Sequence, residues 1–313
     1  MNPDFAPMAQ FLRGHDNYLL ITHIRPDGDT LGSAAALCRL LRAMGKTAYL
    51  YPNADITETY TPFVGAYLAE EGYAGDTVVT VDVADGRLFP TGFDRPVDAA
   101  IDHHPNGGGF APLVLLNSDK ASCGEIILGL AEHMGLEIDS ETASLLYIAV
   151  STDTGCFRYA NTKADTFRAA AMLTDRGADI PAINKLLFRT KSRERIKLEG
   201  FISAGLTSLR GGQLNIALVT LEMLEKSGAK EKDCEDLAGI PGSVAGSRVS
   251  ITVRELAIGK CKISLRTDGV VNATEVCARF GGGGHRMASG CEIDAGPQEA
   301  ADRIRAVVEE LWP

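Results

Sequence analysis

The sequence predicts an α/β protein of two domains. The first is a mostly parallel sheet with helices on both faces, and the second is a smaller α/β unit. Two observations carry this. Through residues 18–176, short runs rich in β-branched residues alternate with helical stretches, the pattern of a parallel sheet whose crossovers are helices. After the break at Arg210-Gly211-Gly212 a fresh set of strands and helices begins, in a chain of 313 residues that is long enough for two domains of ordinary size.

Taken in order, YLLITH (18–23) reads as a buried strand. Thr30 to Met44 reads as a helix, capped by Asp29 or Thr30 and closed by Gly45. TAYLY (47–51), TVVTVD (77–82), VDAAID (97–102) and LVLLN (113–117) are further strands. Helices are expected around 122–134, 140–152 and 163–176, and residues 180–210 look helical. The charged stretch RTKSRERIK (189–197) reads as a connector. The expected division is therefore a domain over 1–190, a connector helix over 191–210 and a second domain over 211–313. In the last part LNIALVT (214–220), SRVSITVREL (247–256) and KCKISLRT (260–267) are strands, and 272–280 and 297–311 are helices.

Composition narrows the function classes. The hydrophobic share of 45% and charged share of 23% are those of a globular protein. The opening MNPDFAPMAQ has neither the basic start nor the apolar run of a signal peptide, and Leu145 to Val150 is too short an apolar run to span a bilayer. Seven cysteines, none in a C-x-x-C arrangement, fit reduced thiols in a cytoplasm better than a disulfide framework or a zinc ribbon. A formal net charge of −10 disfavours a grip on long duplex nucleic acid and leaves small phosphorylated substrates open.

Four motifs carry chemistry. The first, H-I-R-P-D-G-D-T-L-G-S, places His23, Asp27 and Asp29 on a loop after a strand. The second is Asp82, closing VVTVD; the third is Asp102, His103 and His104 in I-D-H-H-P, again at a strand end. The fourth is Asp153 in S-T-D-T-G, closing an apolar helix, where a carboxylate opposes the helix dipole. Singly, each has an ordinary reading as a cap, a turn or a solvated loop. Jointly they do not, because ligands of open α/β sheets gather beyond the carboxyl ends of the strands. Asp27, Asp29, Asp82 and Asp153 bring four negative charges, which two divalent cations would balance, and the neutral imidazoles of His23 and His103 add ligands without charge. A carboxylate–imidazole set lacking thiolate suits Mn²⁺, with Mg²⁺, Co²⁺ and Fe²⁺ as competitors.

With these motifs in order along the chain, the sequence resembles the DHH phosphoesterases, named for the triplet found here at 102–104. Its second half resembles the DHH-associated domain, whose marker is G-G-G-G-H at 281–285. Within the family it is similar to the bacterial nanoRNase/pAp phosphatases. The resemblance implies that His23, Asp27 and Asp82 hold one metal, that Asp29, Asp82, His103 and Asp153 hold the other, and that Asp82 bridges. It implies that His104 contacts the phosphate and protonates the leaving group, that Asp102 orients the histidines, and that Arg266 binds substrate. Four glycines let a backbone pass close to a phosphate and point N–H groups at it, so Gly282, Gly283, Gly284 and His285 join Arg266 as expected substrate contacts. The loop Asn106-Gly107-Gly108-Gly109 is more glycine-rich than this subgroup leads one to expect.

The expected activity is metal-assisted in-line hydrolysis, in a cleft between the domains, of very short RNA to 5′-mononucleotides and of 3′-phosphoadenosine 5′-phosphate (pAp). The rivals are a cyclic dinucleotide phosphodiesterase acting on cyclic di-AMP or pApA, an exopolyphosphatase or pyrophosphatase, and a nucleotide-binding sensor without catalysis. The sequence leaves oligomeric state open, although dimers are common in the family, and it leaves the native metal open as well.

Overall fold

Strand-forming runs in the first half become β1 (Tyr18–Ile21), β2 (Ala48–Leu50), β3 (Thr77–Val81), β4 (Ala99–Asp102) and β5 (Leu113–Leu116). A computed structural model describes residues 4–105, 107–234 and 237–313, and divides the chain into two units, Met1–Thr190 and Lys191–Pro313. Among the described residues the first unit holds a five-stranded parallel sheet in the order 2-1-3-4-5. Tyr18 pairs with Ala48 on one side and Thr77 on the other, which puts β1 between β2 and β3. β1 and β3 are buried at every residue. This is why they read as unbroken apolar runs with no alternation.

The helices of this unit are α1 (Ala6–Gly14), α2 (Gly28–Ala43), the short α3 (Thr61–Val64), α4 (Cys123–Met134), α5 (Ser140–Asp153), α6 (Ala164–Asp175) and α7 (Ile180–Asn184). α2, α4 and α5 close over one face of the sheet, burying Tyr18, Leu20, Val79 and Ile101 with Leu37 and Leu146. A fully buried side chain of this size contributes about 1.5–3 kcal/mol. The opposite face, Leu19, Ile21 and Val78, is packed by Phe89, Phe93 and Phe110 from connecting segments rather than by long helices. The runs between β3 and β4 and between β4 and β5 are too short and too broken by Gly and Pro to form them.

The second unit begins with α8 (Arg193–Ala204), β6 (Thr207–Leu209), β7 (Leu214–Val219), α9 (Leu221–Ser227) and α10 (Gly239–Gly242). It continues with β8 (Val249–Ala257), β9 (Lys260–Thr267), α11 (Ala273–Ala278), β10 (Gly283–His285), β11 (Ala288–Ile293) and α12 (Pro297–Glu310). Among the described residues its six-stranded sheet runs 10-11-9-8-7-6, with β7–β8 the parallel pair in an otherwise antiparallel order.

Two expectations change here. The helical stretch over 180–210 is interrupted: Thr190 is extended, and Ser192 starts α8 afresh by accepting a hydrogen bond from the Arg195 N–H at 2.9 Å. α8 buries Leu198 and Ile202 against Ala217 and Val219 of β7, and Thr207–Leu209 is a strand, so 191–210 is part of the second unit's own core and not one free connector helix. Asp27, not Asp29 or Thr30, caps α2: its backbone is extended and its carboxylate accepts from the N–H groups of Asp29 and Thr30. The glycine run ends in the short strand β10, paired with β11. All seven cysteines are free, and no helix among the described residues is long and apolar enough to cross a membrane.

Candidate metal centre

The sheet delivers its polar residues to one edge. His23 lies two residues beyond β1, Asp82 directly follows β3, and Asp102 is the last residue of β4. Asp27 and Asp29 straddle the start of α2, and Asp153 ends α5. Small residues let these helices close up. A Cβ on Gly28 would lie 2.4 Å from the Thr152 side chain, one on Gly32 would lie 2.5 Å from the Leu145 carbonyl oxygen, and one on Gly124 would lie 2.6 Å from the Ala149 side chain. α2, α4 and α5 thus meet at glycine distance. Asp82 itself has φ of 59°, a left-handed conformation that costs energy in any residue but glycine.

The side chains converge. The Nε2 atom of His103 lies 3.4 Å from Asp82 Oδ1, 3.7 Å from Asp153 Oδ2 and 3.8 Å from Asp29 Oδ2. That of His23 lies 3.7 Å from Asp27 Oδ1. In both rings Nδ1 faces a carbonyl, Lys120 at 3.3 Å for His103 and Ile24 at 2.8 Å for His23. A carbonyl only accepts, so Nδ1 carries the proton and the Nε2 lone pair points into the carboxylates. That is the tautomer and the orientation of a metal-ligating histidine. Donor atoms of His23, Asp27 and Asp82 lie within 4.8 Å of one another, as do those of Asp29, His103 and Asp153 and those of Asp82, His103 and His104.

His104 is held differently. Its Nδ1 lies 2.8 Å from Asp102 Oδ1, which also accepts the backbone N–H groups of His103 and His104 at 2.7 and 3.0 Å. The glycines of the following loop explain themselves in part. A Cβ on Gly107 would fall on the Asp102 carboxylate, and Gly108 has φ of 75° and packs against Val114 and Ala100, whereas Gly109 faces open space. Asn106 lies outside the described residues.

Electrostatics alone make the cluster unstable. Burial, reinforced by the charges of Asp153 and Asp27, pushes Asp29 well above the ordinary carboxylate range. Burial with the charges of Asp29 and Asp27 does the same to Asp82. Burial, aided by Asp27, pushes Asp153 up to about 7. Burial and the neighbouring His104 hold His103 below its usual value. Burial also opposes charge on His23 and His104, but hydrogen bonds to Asp27 and Asp102 outweigh it and raise both. Oδ1 of Asp82 is buried and makes no hydrogen bond among the described residues. A buried, unpartnered carboxylate oxygen beside two imidazole lone pairs and three further carboxylates fits a divalent cation and little else.

The C-terminal residues singled out from the sequence gather on the second unit. Ala288 pairs with His285 of β10 on one side and with Arg266 of β9 on the other. The two exposed basic residues therefore share one row and one face, roughly 10 Å apart at the usual strand spacing, with only a methyl group between them. Gly282 and Gly284 are required by packing: a Cβ on either would meet Gly290 or Ala288 carbonyl oxygens at 2.2 and 2.7 Å, while Gly283 faces open space.

Comparison with known proteins places this arrangement. Residues 17–150 match the DHH family, N-terminal domain, and residues 213–312 match the DHHA1 domain. A bifunctional oligoribonuclease and PAP phosphatase, NrnA, of Thermus thermophilus is 33% identical over 314 residues, covering 97% of this chain and 93% of that protein. The chain belongs to the DHH family. It is accordingly a phosphoester hydrolase. The Bacillus subtilis protein of the same name is 29% identical, with 95% of each chain covered. Among solved structures, an exopolyphosphatase-related protein from Bacteroides fragilis superposes with a TM-score of 0.89 at 24% identity, over 98% of this chain and 95% of that one, and shares the DHH fold.

Other side chains of this DHH centre escape a reading of the sequence. The N–H groups of Cys123 and Gly124, at the start of α4, donate to Asp29 at 2.7 and 3.1 Å, and Asn161 donates to the Asp153 carbonyl at 3.0 Å. Ser122-x-x-Glu125 signals the start of α4, but nothing local says that its first amides serve a carboxylate 94 residues earlier.

Proposed function

We propose that this DHH protein is a two-cation phosphoesterase that releases 5′-mononucleotides from very short RNA and removes the 3′-phosphate of pAp. The observation that carries the reading is the convergence of Asp27, Asp29, Asp82, Asp153 and the two Nε2 lone pairs of His23 and His103 at one edge of the sheet. His23, Asp27 and Asp82 form one ligand group; Asp29, His103 and Asp153, with Asp82 shared, form the other. Mn²⁺ is the preferred ion for this donor set. When bound, such a pair supplies the positive charge that polarises a phosphoryl oxygen and acidifies the attacking water. His104, held by Asp102, presents its free Nε2 to the leaving oxygen and passes it a proton. The hydrogen bond to Asp102 outweighs burial and raises the proton affinity of the ring, the direction that such a transfer needs. Arg266, His285 and the strand Gly282, Gly283, Gly284 are the proposed contacts for the rest of the nucleotide. The substrate class follows the two near-full-length relatives named for both activities.

The test is release of mononucleotide from 5′-labelled pApA and of phosphate from pAp in Mn²⁺, for the wild type and His103→Ala. Turnover that disappears with the substitution and with chelator supports the proposal. Turnover that persists without metal, or faster cleavage of long strands than of dinucleotides, would overturn it.

A further inference from the structure

One short segment holds His103 and Asp29 of one ligand group directly and reaches Asp153 through Asn161. In Asp119–Gly124 the Lys120 carbonyl accepts from His103 Nδ1 at 3.3 Å, and the Cys123 and Gly124 N–H groups hold both oxygens of Asp29. The Ala121 carbonyl accepts from Asn161 Nδ2 at 3.2 Å, and the same amide group reaches the Asp153 carbonyl at 3.0 Å and its Oδ2 at 3.5 Å. Two lysines hold the segment down: Lys163 Nζ donates to the Asp119 carbonyl at 2.7 Å, and Lys120 Nζ lies 3.5 Å from the buried Glu125 carboxylate and 3.6 Å from Asp165. The other ligand group is supported elsewhere. His23 leans on the Ile24 carbonyl, Asn53 Nδ2 donates to the His23 carbonyl at 3.0 Å, and Asp27 is fixed by the helix it caps.

We infer that Asp119–Gly124 is a frame for one cation position only, that of Asp29, His103 and Asp153, with Asn161 and Lys163 as its positioning residues. The inference rests on the two-cation reading above. Among the described residues the Asn161 amide reaches Ala121 and Asp153, and it bonds neither His23 nor Asp27. Removing it frees the end of α5 from the loop that orients His103, while His23 and Asp27 keep their own supports. Groups that orient metal ligands in this way change metal affinity by about 10–100-fold when lost, so the effect should be large and should fall on one site.

The experiment is a calorimetric titration of Mn²⁺ into metal-stripped full-length protein: wild type, Asn161→Ala, Lys163→Met, and the references His23→Ala and His103→Ala. The wild type should bind two ions. Asn161→Ala should weaken one binding step by about 10–100-fold, the step that His103→Ala abolishes, and leave the step that His23→Ala abolishes. Lys163→Met, at an exposed position where folding is not at risk, should weaken the same step by less. Equal weakening of both steps, or of neither, in a protein with wild-type circular dichroism overturns the inference. If Asn161→Ala fails to fold, Lys163→Met decides by the same criterion. Fewer than two ions on the wild type would instead refute the two-cation reading itself.

Discussion

Gly107→Ala is the substitution whose consequence can be worked most fully from geometry. The new Cβ would lie 1.8 Å from Asp102 Oδ2, 2.4 Å from its Cγ and 2.9 Å from its Cβ. Rotating the Asp102 side chain cannot relieve this, since its own Cβ is already too close and the residue is fully buried. The chain at 107 is also held, its N–H donating to the His104 carbonyl at 2.8 Å. Either the loop lifts or Asp102 shifts, and both routes disturb the three hydrogen bonds that Asp102 Oδ1 accepts from His103 and His104. Overpacking of this kind costs about 1–3 kcal/mol, and each hydrogen bond to a charged group contributes about 1.5–3 kcal/mol. A stability loss of about 2–5 kcal/mol is therefore expected. The rate should suffer more: in the proposed role of His104 as general acid, the ring loses the partner that sets its tautomer and direction, and a displaced general acid costs on the order of 10²–10⁴ in turnover. Steady-state release of mononucleotide from pApA should show a fall in kcat with KM little changed. Gly109→Ala, two residues on and with nothing within 4 Å of its Cβ, should behave as wild type. If Gly107→Ala retains wild-type kcat, the claim that Asp102 orients His104 is wrong.

Three further outcomes follow from the same centre. Saturation with Mn²⁺ at about 100 times its dissociation constant should stabilise the folded chain by about 2.7 kcal/mol per site, a rise of roughly 5–10 °C per site in thermal unfolding for a domain of this size, reversed by chelator and lost in Asp82→Asn. The metal-free protein should lose stability as pH rises from about 4 to about 7, because Asp29, Asp82 and Asp153 bind protons more tightly folded than unfolded. Below that window their protonated forms carry no burial penalty; above it they do, and urea midpoints at pH 4.5 and 7.5 would show the sign. Gly32→Ala should cost about 1–3 kcal/mol by driving a methyl group into the Leu145 carbonyl. It should also weaken Mn²⁺ binding, since it spreads the helices that carry Asp29 and Asp153, and chemical denaturation with calorimetry would check both.

β1, β3 and β4 and the strand-end placement of Asp82 and Asp102 could be read from the chain because these strands are buried at every residue, which leaves short uninterrupted apolar or β-branched runs with visible ends. Within Asp27-Gly28-Asp29-Thr30 the cap could not be read. Three of these residues cap well, and only the extended backbone at Asp27 selects it. β6 and β10 were invisible for a different reason. Thr207–Leu209 and Gly283–His285 are three residues each, with Thr207 the one β-branched residue between them, and each is paired along the edge of a longer neighbour, β7 or β11. The support of Asp29 by α4 and of Asp153 by Asn161 is likewise a product of tertiary packing.

The two helix ends at the centre pull in opposite directions. Asp29 receives the first N–H groups of α4, where the dipole favours a negative charge, yet burial and the charges of Asp153 and Asp27 still push it well above the ordinary carboxylate range. Asp153 closes α5, where the dipole disfavours it, and α5 cannot withdraw because Gly28, Gly32 and Gly124 have let it pack at glycine distance. Asp82 adds a strained backbone and an oxygen without a hydrogen-bond partner among the described residues. Such a set of costs persists only where something compensates them together. Protons on the carboxylates would remove the charge and could each offer an O–H to an Nε2, but at 3.4 to 3.8 Å these pairs stand farther apart than a good hydrogen bond, whereas cations between them would satisfy both. On this argument the packing of α2 against α5 and the binding of metal are one equilibrium. A substitution that loosens the helices should then be rescued by Mn²⁺, and one that removes a ligand should not.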